Sequence, residues 1–129
     1  MVIFTGWQSE MPRIYASLDC VVITSKNEGM PVPLIESLVA GVPVVATDVG
    51  GVGDLLGGGD YGRIVPSNDH VALAQAIMTT LNTPYDPEPA RQAMLARYSI
   101  ERLVEDLEAL YRGLLTRKQT SPPSENGLP

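Results

Sequence analysis

Residues 19–51 read DCVVITSKNEGMPVPLIESLVAGVPVVATDVGG, and the fold follows from this stretch. Residues 20–24 and 43–47 are short β-branched runs of strand length. Between them, residues 33–40 carry a helical pattern. Strand, helix and strand in so short a segment form a βαβ unit, which sets the two strands parallel. Their near-continuous apolar character means that both faces of the sheet are covered.

Working outward, residues 2–4 read as an earlier strand and residues 11–18 as a helix before the unit. A short strand at 63–65 follows the turn Gly57-Gly58-Gly59. A helix then opens at Asn68 or Asp69, either of which is a suitable cap, with Val71, Ala74, Ile77, Met78 and Leu81 as its apolar stripe. A Pro-rich link at 84–89 leads to a helix at 90–97, and Ser99 is placed to cap a last one. That last helix repeats apolar residues every three or four positions, from Leu103 through Leu107 and Leu110 to Leu115, marking one face for burial. The pattern predicts an α/β domain over 1–118, a parallel sheet with helices on both faces, and a disordered polar tail over 119–129. Only four strand candidates appear, fewer than the five or six of an average sheet, so the sheet is expected to be incomplete at its front. An apolar edge is left there.

Composition narrows the function. With 129 residues there is material for one domain. Fifteen acidic against nine basic residues give a formal charge of −6, with no Lys/Arg cluster to follow a phosphate backbone, which argues against nucleic acid as a partner. A single cysteine, Cys20, in an apolar run reads as a buried, inert thiol in a reducing setting. With one histidine, His70, no metal-ligand spacing arises and no metal or cofactor is expected. No run reaches the roughly 20 apolar residues of a spanning helix, and the first residues lack a basic region or cleavage site; a cytoplasmic location is the expectation.

Ligands of open parallel sheets bind beyond the carboxyl ends of the strands, so the chemistry is expected in loops 25–36 and 48–53. The first holds Glu28 and Glu36. Pro31 and Pro33 prevent one continuous helix from carrying both: they leave Glu28 in a loop and place Glu36 in the first turn of the helix. Carboxylates accept hydrogen bonds from hydroxyls, while amides at Gly29, Met30, Val32, Leu34 and Ile35 lie where a helix N-terminus attracts an anion. Hydroxyl-binding acids beside phosphate-binding amides suit a nucleotide sugar. The same glutamates also read as a solvated loop residue and a dipole-favoured first-turn acid. Gly51-Val52-Gly53 approaches a dinucleotide fingerprint, but Leu56 stands where its last small residue belongs.

Taken together, segments 19–25, 28–31, 34–51 and 62–69 closely resemble the C-terminal domain of the retaining GT-B glycosyltransferases of the GT4 (glycosyltransferase group 1) family, over residues 2–82. The most specific element is the E-x7-E motif, filled by Glu28 and Glu36. The resemblance implies a Rossmann-like domain and transfer of a sugar, with retention, from a UDP-, GDP- or ADP-linked donor. It implies that Glu28 meets donor-sugar hydroxyls and that Glu36 holds the ribose. Gly29, Met30 and Leu34 then lie near the diphosphate and sugar, and Gly50 and Gly51 match the family's Gly-Gly turn. Asp54 stands where the family usually has Glu. The family's basic pair and its acceptor-binding N-terminal domain have no counterpart here, so little activity is expected from this chain without that domain, in cis or in trans. The alternative is a non-catalytic nucleotide-sugar-binding or interaction module.

Overall fold

The computed structural model describes the backbone of residues 1–120 and the side chains of residues 1–116. The chain divides into two compact units, Met1–Leu95 and Ala96–Pro129. Residues 121–129 of the expected tail lie outside the described residues, and residues 119 and 120 complete the last helix.

The first unit is an α/β sheet layer. Helix α1 (Met11–Tyr15) precedes β1 (Val21–Ile23), and α2 (Val32–Ala40) crosses over to β2 (Val44–Thr47). A short α3 (Val52–Leu55) and a 3₁₀ turn (Gly57–Gly59) lead to β3 (Arg63–Val65), followed by α4 (His70–Asn82) and by α5 (Glu88–Tyr98), of which residues 88–95 belong to this unit. The sheet has order β1-β2-β3 and is fully parallel, with Val21 opposite Val44 and Thr47 opposite Val65. All four residues of β2 are buried although successive side chains point to opposite faces, so both faces of the central strand are covered. Leu34, Leu38, Val45, Val52, Leu55, Leu56 and Met94 make up the fully buried centre.

The ends of α2 and α4 follow from local chemistry. Gly41 stops α2 with φ 86°, a left-handed conformation that a side chain resists. Of the two expected caps for α4, Asp69 is the one used: its carboxylate accepts from the amides of Val71 and Ala72, while Asn68 turns the chain before it at φ 64°.

Residues 2–4 do not form the expected strand, and the described sheet has three strands rather than four. A strand needs a hydrogen-bonded neighbour, and β1 pairs only with β2. Val2, Ile3, Phe4 and Trp7 stand exposed instead.

The second unit contains α6 (Ile100–Thr120), one continuous helix with the apolar repeat along its length. Ser99 accepts from the Arg102 amide as anticipated, at 3.3 Å. Pairs Arg102–Asp106 and Arg112–Glu108, four residues apart, support its polar side.

Candidate functional site

Because the strands are parallel, the loops after β1, β2 and β3 leave from one rim. They are joined by hydrogen bonds. The Thr47 hydroxyl, at the end of β2, donates to the carbonyl of Ser25 at 2.6 Å, and the Asp48 amide donates to the carbonyl of Val65 at 2.8 Å. The Gly51 amide is shared between the carbonyls of Gly29 (3.1 Å) and Glu28 (3.4 Å). The Gly-Gly turn therefore rests directly on the Glu28–Gly29 backbone. A side chain at Gly50 would collide with the Glu28 carbonyl and one at Gly51 with the Gly29 carbonyl, and Gly50 in addition sits at φ 53°. Both positions need glycine for space, and Gly50 also for conformation.

Glu28 is half-buried in the first loop, as the prolines require, and its Oε1 accepts from the Ser25 hydroxyl at 2.5 Å. Glu36 lies further into α2 than expected. Pro31 caps the helix, Val32 and Pro33 open it, and no acid falls in the first turn, so Glu36 belongs to the second. Proline is tolerated at either of the first two helical positions because neither amide has an intrahelical partner, which lets the helix start one residue earlier. The exposed Glu36 carboxylate accepts through Oε2 from the Tyr15 hydroxyl of α1 at 2.9 Å. Burial, the hydrogen bond and the negative charge of Glu36 all favour the neutral phenol, and Tyr15 is pushed up to about 12.

Each glutamate thus accepts from a neutral hydroxyl rather than from a cation among the described residues, and has capacity to accept further hydrogen bonds from ligand hydroxyls. Met30 and Val32 project into solvent at the start of α2. The Leu34 amide, expected to be free, is donated to the carbonyl of Pro31 at 3.0 Å, and its side chain is fully buried beneath the loop. Lys26 is on this rim, where with Thr24, Thr47, Asn68 and His70 it lines a cavity of about 190 Å³. Arg63 starts β3 at the opposite rim and donates to the Thr80 hydroxyl, and Arg13 of α1 pairs with Glu10 just before that helix. Tyr61 lines a separate cavity of about 220 Å³ beside Arg63. Cys20 is half-buried, and burial pushes its thiol up, away from the reactive thiolate.

Two contributors escaped the sequence reading. Ser25 lay inside the quoted loop, three residues before Glu28, a spacing compatible with a local hydrogen bond. Tyr15 is 21 positions from Glu36, and no local pattern announces that contact.

Residues 1–83 match the family model described as Glycosyl transferases group 1. The chain is 31% identical over 120 residues to the lipopolysaccharide core biosynthesis mannosyltransferase LpsB of Rhizobium meliloti, covering 88% of this chain and 34% of that protein. It is 33% identical over 121 residues to a D-inositol 3-phosphate glycosyltransferase of Corynebacterium urealyticum, covering 88% of this chain and 27% of that protein. Among solved structures, a sucrose-phosphate synthase from Thermosynechococcus elongatus matches with a TM-score of 0.69 and 30% identity, over 81% of this chain and 27% of its own. This chain therefore spans about a third or less of the proteins it resembles. The parallel sheet with flanking helices is the Rossmann-like architecture of GT-B proteins. Since the family match takes in both rim loops and well over half of the sequence, the chain belongs to the glycosyl transferases group 1 family.

Proposed function

We propose that the rim formed by Glu28–Met30, Glu36 and Gly50–Gly51 binds the donor of a retaining glycosyltransferase, a nucleotide sugar linked through UDP, GDP or ADP. Glu28 accepts from donor-sugar hydroxyls and Glu36 from the ribose, while the amides of Gly29 and Met30 face the diphosphate. Leu34 supports the loop from below. The observation that carries this reading is the Gly51 amide bridging to Gly29 and Glu28, which makes one continuous surface of the acidic loop and the glycine turn. Two glutamates held by hydroxyls rather than cations suit a ligand rich in hydroxyl groups.

A diphosphate leaving group also needs positive charge in the transition state, and Lys26 is a cation placed on the rim. We assign the remaining charge and the acceptor side to the two thirds of the relatives' length that this chain does not span, supplied in cis or in trans. The chain by itself is then a donor-binding module with little turnover. Titration calorimetry with UDP-, GDP- and ADP-glucose and GDP-mannose tests the reading. Binding of one donor class that is lost in the double variant Glu28→Ala, Glu36→Ala supports it. Equal affinity in the double variant would sink the site assignment.

A further inference from the structure

We infer that Tyr15 is the positioning residue for Glu36, fixing its Oε2 so that Oε1 is presented to a vicinal diol of the ligand. The inference rests on the reading of Glu36 as a ribose contact. It names a residue outside both rim loops, 21 positions upstream.

An exposed glutamate ordinarily samples several rotamers, and fixing it costs conformational entropy. Here the carboxylate emerges from the second turn of α2 and meets a phenol that does not itself move freely. Tyr15 is only 5% exposed and is the buried residue of α1, so its ring is held by packing and its hydroxyl arrives at Glu36 from a fixed direction. The hydrogen bond is 2.9 Å long and specific to one oxygen. Its donor is uncharged. An arginine at this place could engage both oxygens, and either an arginine or a lysine would compensate the charge, leaving a weaker acceptor for ligand hydroxyls. A phenol occupies one oxygen, adds no positive charge and leaves the other oxygen of this exposed residue for a ligand. With the Tyr15 titration raised far above neutrality, the phenol remains a donor throughout the physiological range. Two adjacent hydroxyls on a five-membered ring present the paired donors that one remaining carboxylate oxygen can accept.

The test uses the full 129-residue chain and Tyr15→Phe, which keeps the buried ring and removes only the hydroxyl. Affinity is measured for UDP, GDP and ADP and for the 2′,3′-dideoxy form of whichever binds. The wild type is expected to prefer the ribonucleotide. Tyr15→Phe is expected to weaken the ribonucleotide by roughly three- to tenfold, the net scale of a single hydrogen bond, and to leave the dideoxy form unchanged. If Glu36→Ala leaves ribonucleotide affinity intact, the underlying ribose reading fails. If Glu36→Ala loses it while Tyr15→Phe keeps full discrimination, the positioning role alone is overturned. If no nucleotide binds the wild type, both fall. A ligand-free readout separates the two ideas further: side-chain scalar couplings of Glu36 should report one dominant rotamer in the wild type and averaging in Tyr15→Phe. Averaging already present in the wild type overturns the positioning role.

Discussion

The Gly51 amide donates to the carbonyl of Gly29 at 3.1 Å, tying the turn after β2 to the loop after β1. Through this contact two segments more than twenty residues apart become one surface. Its condition is the absence of side chains at Gly50 and Gly51.

Gly50→Ala is therefore expected to do more than strain one residue. The left-handed conformation alone costs a non-glycine residue about 1–2 kcal/mol, and the new Cβ must also push the Glu28 carbonyl away. A stability loss of about 2–4 kcal/mol is expected in urea unfolding, with amide shifts at Glu28 and Gly29. Gly58→Ala is the matching control. Gly58 has φ 68° but open space around it, so that variant should lose only about 1–2 kcal/mol and leave Glu28 unmoved. Equal losses in the two variants would contradict the proposed contact.

Ser25→Ala removes the hydroxyl that holds Glu28 and leaves the Ser25 carbonyl to accept from Thr47. Stability should change by no more than about 1 kcal/mol, because Ser25 is only half-buried. Donor affinity is expected to fall about threefold or more as Glu28 gains rotamers. Calorimetry with the donor that binds the wild type measures it. An unaltered affinity would mean that Glu28 needs no local support.

The βαβ unit was legible because strand and helix periods, glycines and prolines are local signals. They place α2, β2, β3 and α4 within a residue or two. The strand expected at 2–4 shows the limit of the same logic: an apolar triplet has strand propensity, but a strand also needs a hydrogen-bonded neighbour, and no local pattern supplies one. Glu28 and Glu36 were singled out by the resemblance to the family's E-x7-E motif, since their spacing alone also reads as a loop acid and a helix acid, and Pro31 explains why one is in a loop. The partners of the glutamates divide by distance. Ser25 is three residues from Glu28, whereas Tyr15 reaches Glu36 only because α1 packs beside α2.

Packing of α2 on the sheet carries the site. Leu38 is fully buried, and Leu38→Ala should cost about 2–5 kcal/mol through lost burial and the cavity left behind. A domain of this size has little margin for such a loss. Thermal or urea unfolding followed by circular dichroism should show a clearly lowered midpoint, and a loss under about 1 kcal/mol would contradict the packing described.

Alkaline pH gives a check on the burial of Tyr15 together with its contact to Glu36. Tyr15 is raised from 10.0 to about 12 by burial first and then by Glu36. Folding favours the protonated phenol, so its contribution is fully present below pH 10 and is lost as pH rises from 10 towards 12. Wild-type stability should fall across this window by up to about 2 kcal/mol more than that of Tyr15→Phe, which has no phenol to ionise. Parallel profiles for the two proteins would remove the linkage.

The most direct measurement is a two-dimensional amide NMR spectrum of the isotopically labelled chain, titrated with UDP, GDP and ADP and their sugars. The account predicts shifts concentrated at Gly29, Met30, Glu36, Gly50 and Gly51 for one nucleotide class, and their disappearance in Glu28→Ala, Glu36→Ala. A dispersed spectrum that does not respond to any of these donors, or that responds only around Tyr61 and Arg63 at the opposite rim, would contradict it.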